Sequence, residues 1–186
     1  MELTGNIQKS LIEACISGDE RQKYKLYQLY AKAMFNVCYR MMNNREEAED
    51  MLQEAFTQAF QKLGTFRFES PFGAWLKRIV INTCINAKNK RKVDLQLMDE
   101  MKQVESADEE DTSEEHIQFT VNGITKAMEK LPEGGRMIFS LYLFEGYDHA
   151  EISQILNITE STSKSQFMRA KRRVIEILNE QKINTI

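Results

Sequence analysis

Asp148-His149-Ala150-Glu151-Ile152-Ser153-Gln154-Ile155-Leu156-Asn157-Ile158-Thr159-Glu160-Ser161-Thr162-Ser163-Lys164-Ser165-Gln166-Phe167-Met168-Arg169-Ala170-Lys171-Arg172 carries the most specific pattern in this chain. Asp148 caps a short helix, and Glu151, three positions on, completes a capping box. Ile152, Ile155 and Leu156 point inward, and Ala150 and Ile158 occupy packing positions. Asn157-Ile158 makes a tight turn, because Asn tolerates the left-handed backbone that such turns require. Thr159 then caps a longer helix running to about Asn179. Phe167, Ala170, Val174, Ile177 and Leu178 share one face of it. Ser161, Lys164, Ser165, Met168, Arg169 and Arg172 share the opposite face. A short helix, a tight turn and a second helix with an exposed stripe of hydroxyls and cations form a helix-turn-helix suited to the DNA major groove.

Outward from this motif the chain reads as helix in both directions. On the N-terminal side, helices are expected near Phe119–Lys130 and Arg136–Phe144, separated by Leu131-Pro132-Glu133-Gly134-Gly135 and stopped at Gly146. Pro71 and Pro132 are the only prolines in 186 residues, and no segment alternates with a period of two. The expected class is therefore all-α, with two small helical domains. Net charge is −3, but it is unevenly placed: Asp94 to Glu115 holds ten acidic residues and one basic residue, Lys102, leaving 24 Lys/Arg against 18 Asp/Glu elsewhere. Charge by segment carries the information. The acidic stretch has too little apolar surface to offset the entropy of ordering. The sequence thus divides into residues 1–92, an acidic flexible linker 93–116, and the helix-turn-helix domain 117–186.

No apolar run approaches the roughly 20 residues that span a bilayer. Met1 to Gly18 lacks the basic-then-apolar order of a signal peptide. A cytoplasmic protein without membrane insertion is expected. Cys15, Cys38 and Cys84 are odd in number and far apart, and His116 and His149 are the only histidines. No zinc set is formed by such spacing. Three reduced, buried thiols are expected, with no metal and no cofactor.

The N-terminal part predicts helices near Ile7–Ser17 and Glu20–Met42, the second with Tyr24, Tyr27, Tyr30, Met34, Val37, Cys38 and Met41 as its core stripe. Asn44 with Glu47 starts a third helix, whose apolar face is Ala48, Met51, Leu52, Ala55, Phe56, Ala59, Phe60 and Leu63. Its other face carries Asp50, Gln53, Glu54, Thr57 and Gln61, which is either a solvated surface or a docking surface. Then come the ring-rich loop Phe66-Arg67-Phe68-Glu69-Ser70-Pro71-Phe72 and a helix over about Gly73–Asn89. From Ser70 to Val93 there is no acidic residue, while Lys77, Arg78, Lys88, Lys90, Arg91 and Lys92 are basic. Trp75, Arg78, Asn82, Asn86 and Asn89 line one side. Cations neutralise phosphates, amides reach base edges and rings accept unstacked bases. This mixture fits melted or single-stranded nucleic acid; the alternative is that Trp75 and Phe72 are core beneath a basic surface.

Three blocks together resemble the extracytoplasmic-function, or group IV, sigma factors of bacterial RNA polymerase, in the sigma-70 family. Arg45-Glu46-Glu47-Ala48-Glu49-Asp50-Met51-Leu52-Gln53-Glu54-Ala55-Phe56 is similar to the family's polymerase-binding helix. Phe66 to Leu76, continued by Ile79 and Asn82, is similar to its −10 recognition loop and helix. Leu131-Pro132-Glu133, Glu145-Gly146, Glu151-Ile152, Lys164-Ser165 and Arg169-Ala170 are similar to its −35-binding domain. The resemblance implies a subunit that binds core RNA polymerase, through the β′ clamp helices and the β flap, and directs it to promoter DNA. It implies core contacts at Asp50, Met51, Gln53 and Glu54. It implies −10 contacts at Phe66, Arg67, Phe68, Glu69, Ser70, Arg78, Asn82, Asn86, Lys90 and Arg91. It implies −35 contacts at Ser161, Thr162, Lys164, Ser165, Met168, Arg169 and Arg172, and an anti-sigma factor as a further partner. Phe68 stands where the family often has Gly, Ser161 where Gly is common, Ser163 where Val is common and Gln166 where Arg is frequent.

The competing class is a stand-alone helix-turn-helix regulator that dimerises on two half-sites. A nucleic-acid enzyme would need a metal cluster, a nucleophile–base pair or a phosphate loop. None is present in the pattern, and acidic neighbours such as Glu49 and Asp50 do not converge.

Overall fold

The computed structural model describes residues 2–96 and 121–183. Its helices are α1 (Glu2–Ile16), α2 (Glu20–Met42), α3 (Arg45–Lys62), α4 (Phe72–Gln96), α5 (Val121–Met128), α6 (Glu133–Leu143), α7 (His149–Leu156) and α8 (Glu160–Ile183), with a 3-10 turn at Leu63–Thr65. No strand occurs among the described residues. Two compact units divide the chain, one of Met1–Asn86 with Gln154–Asn157 and the other of Ala87–Ser153 with Ile158–Ile186.

Local chemistry fixes the helix ends of the first unit. Gly18, at φ 96°, turns the chain out of α1. The Asp19 carboxylate accepts hydrogen bonds from the Arg21 and Gln22 amides at 2.9 and 3.2 Å, satisfying two donors that a helix start leaves open. Asn43 closes α2 in the left-handed conformation, φ 57°, and Asn44 Oδ1 accepts from the Glu47 amide at 3.1 Å. Helix α2 packs along α3 and on α1. Ala48, Ala55 and Ala59 are all buried on α3, so small side chains fill part of its packed face. Leu26, Met34, Val37, Cys38 and Met41 of α2 and Leu76, Val80, Ile81 and Cys84 of α4 are buried as well.

The expected stripe of α2 is corrected at its start: Tyr24 is 61% exposed, whereas Leu26 is wholly buried. The helix packs on more than one neighbour, so its buried arc is wider than a single stripe. Tyr27 meets Phe56 edge-on at 4.8 Å and Tyr30 meets Phe72 at 5.3 Å. Helix α4 also runs further than predicted. Val93 to Gln96, expected to open the linker, continue the helix; the acidic segment from Leu97 to Thr120, including the linker residues to His116 and the expected helix start at Phe119, lies outside the described residues.

In the second unit α8 packs on α5 and α6. Ala127, Met128, Leu131, Phe139, Ala170, Val174, Ile177 and Leu178 form one apolar cluster, with Ile124, Phe144 and Phe167 at its edge. Helix α6 begins at Glu133, three residues before the predicted start, with Pro132 in the capping position. Gly134 and Gly135 resemble a break, yet they are helical. A Cβ at Gly135 would stand 3.5 Å from that of Ala170, ordinary van der Waals contact, so α8 packs close against this turn of α6. Arg136 is buried. It donates from Nη1 to the Leu131 carbonyl at 3.0 Å, and burial lowers its pKa while Glu133 partly restores it.

Candidate nucleic-acid interface

On α3, Asp50, Gln53 and Glu54 are exposed and Met51 is half-buried. Glu54 Oε1 accepts from Gln58 Nε2 at 2.9 Å. The predicted polar face therefore exists as an open surface on a helix whose opposite side is packed.

The loop after the 3-10 turn is organised by rings. Phe66 is 7% exposed and touches Phe68, Phe72 and Trp75, with ring centroids at 4.8, 5.5 and 5.3 Å. Phe72 is buried and Trp75 half-buried. The core alternative thus holds for Phe72, and Phe66, expected as a contact, is a buried support. A Cβ at Gly73 would stand 3.0 Å from Tyr30 Cε1, so a larger residue would press on the Tyr30 ring that meets Phe72. Arg67, Phe68, Glu69 and Ser70 are exposed at the loop surface. Phe68 has φ 58°, a conformation that costs an L-residue about 1–2 kcal/mol and that glycine adopts freely. The ring is 39% exposed, and Lys9 Nζ of α1 sits 5.6 Å from its centroid. Along α4, Arg78, Asn82, Asn86, Asn89, Lys90 and Arg91 are exposed, whereas Lys88 is buried.

The helix-turn-helix closes through short-range hydrogen bonds. The Asp148 carboxylate accepts from the Glu151 amide at 2.7 Å, and Glu151 returns the bond to the Asp148 amide at 2.9 Å. Asn157 turns at φ 53°. Thr159 Oγ1 accepts from the Thr162 amide at 3.0 Å and lies 2.7 Å from the Thr162 hydroxyl. Ser161, Lys164, Met168, Arg169 and Arg172 are exposed on α8; Thr162 and Ser165 are half-buried. The Ser165 hydroxyl donates back to the Thr162 carbonyl at 3.2 Å, and Lys164 pairs with Glu160 at 2.7 Å. Arg173 is held by Glu176 and Glu180 at 2.8 and 3.7 Å, and its pKa is raised chiefly by the Glu176 hydrogen bond. Ala150, expected as a packing position, is exposed; Ile158 is half-buried.

Sequence reading missed Lys9, His149 and Ser163. Ser163 is wholly buried, and its Oγ shares a 2.9 Å hydrogen bond with His149 Nδ1. No local pattern announces a pair fourteen positions apart across a turn. The three cysteines are buried and unbridged. Burial raises the Cys15 pKa, against an opposing pull from Lys23. Among the described residues no group of three or more His, Cys, Asp or Glu is placed to hold a metal ion.

Helices throughout, a helix-turn-helix with an exposed basic face and a separate ring-rich basic element place the chain among DNA-binding proteins. Comparison narrows this. Sigma-70 region 2 matches residues 26–93 and sigma-70 region 4 matches residues 122–174. The RNA polymerase sigma-H factor of Pseudomonas aeruginosa is 30% identical over 95% of this chain and 96% of its own length. The extracytoplasmic-function sigma factor SigW of Bacillus subtilis is 30% identical over 88% and 92%. The chain belongs to the sigma-70 family of RNA polymerase sigma factors, in its extracytoplasmic-function group, and its role is in transcription initiation. Two solved structures share the fold. One is the sigma factor RpoE from Bartonella quintana, in complex with the anti-sigma factor NepR, with TM-score 0.55, 23% identity and coverage of 84% of this chain and 96% of that one. The other is CnrH, in complex with the cytosolic domain of CnrY, with TM-score 0.52, 20% identity and coverage of 91% and 96%.

Proposed function

We propose that this sigma factor divides its work between its two ends. The N-terminal part, residues 1–92, docks on core polymerase and holds the opened −10 element. The C-terminal part, residues 117–186, reads the −35 element in the major groove, and residues 97–116, beyond the end of α4, join them. Asp50, Met51, Gln53 and Glu54 meet the β′ clamp helices. Arg67, Phe68, Glu69 and Ser70 surround an unpaired base above the buried Phe66, while Arg78, Asn82, Asn86, Lys90 and Arg91 follow the melted strand. Ser161, Thr162, Lys164, Ser165, Met168, Arg169 and Arg172 face the −35 duplex, next to a β-flap contact. The observation that carries this division is the pairing of an exposed, acid-free amide and cation row on α4 with an independent basic recognition helix on α8. Rings and amides suit single strands; a capped helix suits the major groove.

The protein acts in transcription initiation in the cytoplasm, as a sigma factor, and performs no bond chemistry of its own. Among the described residues no helix is long and apolar enough to cross a membrane. An anti-sigma factor is a further partner; RpoE, which shares its fold, is seen in complex with the anti-sigma factor NepR. Reconstituted transcription tests the core of the reading. Purified core polymerase with this protein initiates from a subset of a promoter library; silence on every member overturns it. Tight operator binding by a dimer without polymerase would favour the regulator reading instead. Replacing Asp50 and Gln53 together by Ala weakens core binding and leaves stability within about 0.5 kcal/mol, as for ordinary surface changes. Unchanged core affinity removes the docking role.

A further inference from the structure

On helix α7, Ile155 and Leu156 are half-buried. Ile152 is its buried residue, while Ala150 and Glu151 are exposed. Around the start of α8, Phe167 meets Phe139 and Tyr142 at 5.6 and 4.5 Å. Such apolar contacts have no preferred direction. A directed contact does cross from α7 to α8: His149 Nδ1 and Ser163 Oγ at 2.9 Å. The His149 ring is itself fixed, stacked on Tyr142 at 4.7 Å and edge-on to Phe167 at 5.5 Å. Ser163 lies between Thr162 and Lys164, with its hydroxyl wholly buried among the residues that face DNA on either side.

We propose that His149 and Ser163 are a positioning pair that sets the roll of α8 in the groove. The proposal rests on reading α8 as the −35 recognition helix. Geometry gives the pair its leverage. A roll of about 20° moves an atom about 4 Å from the helix axis by about 1.4 Å, which carries a 2.9 Å contact out of hydrogen-bond range. At the tip of an arginine, about 8 Å from the axis, the same roll is about 3 Å, close to the base spacing of about 3.4 Å along one strand. The bond therefore opposes rolls of this size, each of which would shift the tips of Lys164, Arg169 and Arg172 by nearly one base.

The test uses holoenzyme assembled from core polymerase and the full chain. Two promoters share one −10 element and differ only at −35: one sequence selected from a random pool by the unaltered protein, one scrambled. His149→Phe keeps a ring for Tyr142 but deletes the Nδ1 bond, and discrimination falls about tenfold, the scale of one mismatched base pair. Binding to the scrambled promoter and its salt dependence stay unchanged. His149→Asn, whose amide reaches the position of Nδ1, retains discrimination within about twofold, the scatter of independent effects. His149→Phe with Ser163→Ala removes the stranded hydroxyl, so thermal stability recovers while discrimination stays low. If that double variant regains both, or if His149→Phe discriminates like the unaltered protein, the pair only stabilises and the proposal is overturned. If the unaltered holoenzyme selects no −35 sequence, the −35 reading fails, and the proposal with it.

Discussion

In the loop Phe66–Phe72, ring rests on ring and Phe68 sits in a left-handed backbone at φ 58°. In α7–α8, side-chain oxygens close both helix starts, at Asp148 and at Thr159. Both regions present cations and contain ring contacts, yet side-chain hydrogen bonds cap both helices of the second, while the loop is held chiefly by its rings. The difference matches the two targets proposed for them. An unpaired base offers a flat face, and a ring platform stacks on it with preferences set by stacking strength. A duplex offers donors and acceptors at fixed positions, and a helix must be held at a fixed angle to read them.

The contrast is most exposed to failure at Phe66. If packing shapes the loop, Phe66→Ala costs about 3–5 kcal/mol, the usual range for deleting a buried ring. Chemical denaturation of the full chain measures it. A loss below about 1 kcal/mol would mean that the loop holds its shape without its central ring, and the division between packed loop and bonded helix pair would collapse.

On the other side of the comparison the scale is smaller. Asp148→Ala removes one half of a reciprocal pair and costs about 1 kcal/mol, read in the same denaturation experiment. The larger readout is on DNA. A frayed α7 loosens α8, so binding to a −35 promoter weakens while binding to a forked −10 probe does not. Equal weakening of both would show that the two regions are not separable in the way proposed. Arg172→Ala sharpens the same point: loss of one phosphate contact weakens −35 binding and lowers the salt slope by about one.

These predictions draw on features of unequal visibility in the sequence. The bounds of α2, the Asp148–Glu151 box and the left-handed Asn157 were legible because each depends on residues within three or four positions of one another. The early start of α6 was not, because Gly134 and Gly135 favour a break locally, whereas the helix starts behind Pro132 and packs on α8. Leu26 was missed for a similar reason: a helix packed on more than one side does not bury a single stripe. In the candidate site, the residues that face outward could be listed from the pattern, but their supports could not. Phe66 looked like a contact and is buried; Ser163, noted only as standing where the family often has Val, is wholly buried and bonded to His149.

The smallest stability effect is expected at Phe68, and its sign is decided by opposing terms. Phe68→Gly relieves about 1–2 kcal/mol of left-handed strain. Against this, glycine costs about 0.5–1 kcal/mol in unfolded-state entropy, and the Lys9 contact, worth about 0.5–1 kcal/mol at an exposed site, is lost. The ring is 39% exposed, so its remaining burial against Phe66 adds only part of a full side chain. The net change therefore falls within about 1 kcal/mol of zero, far below the Phe66 value. Function should move the other way. Removing the exposed ring weakens binding to a forked −10 probe and changes its base preference, with −35 duplex binding untouched. A stability loss equal to that of Phe66→Ala would place Phe68 in the core. Unaltered base preference with a stable fold would show that the strained ring serves neither packing nor reading, and the backbone cost at this position would then lack a compensating role.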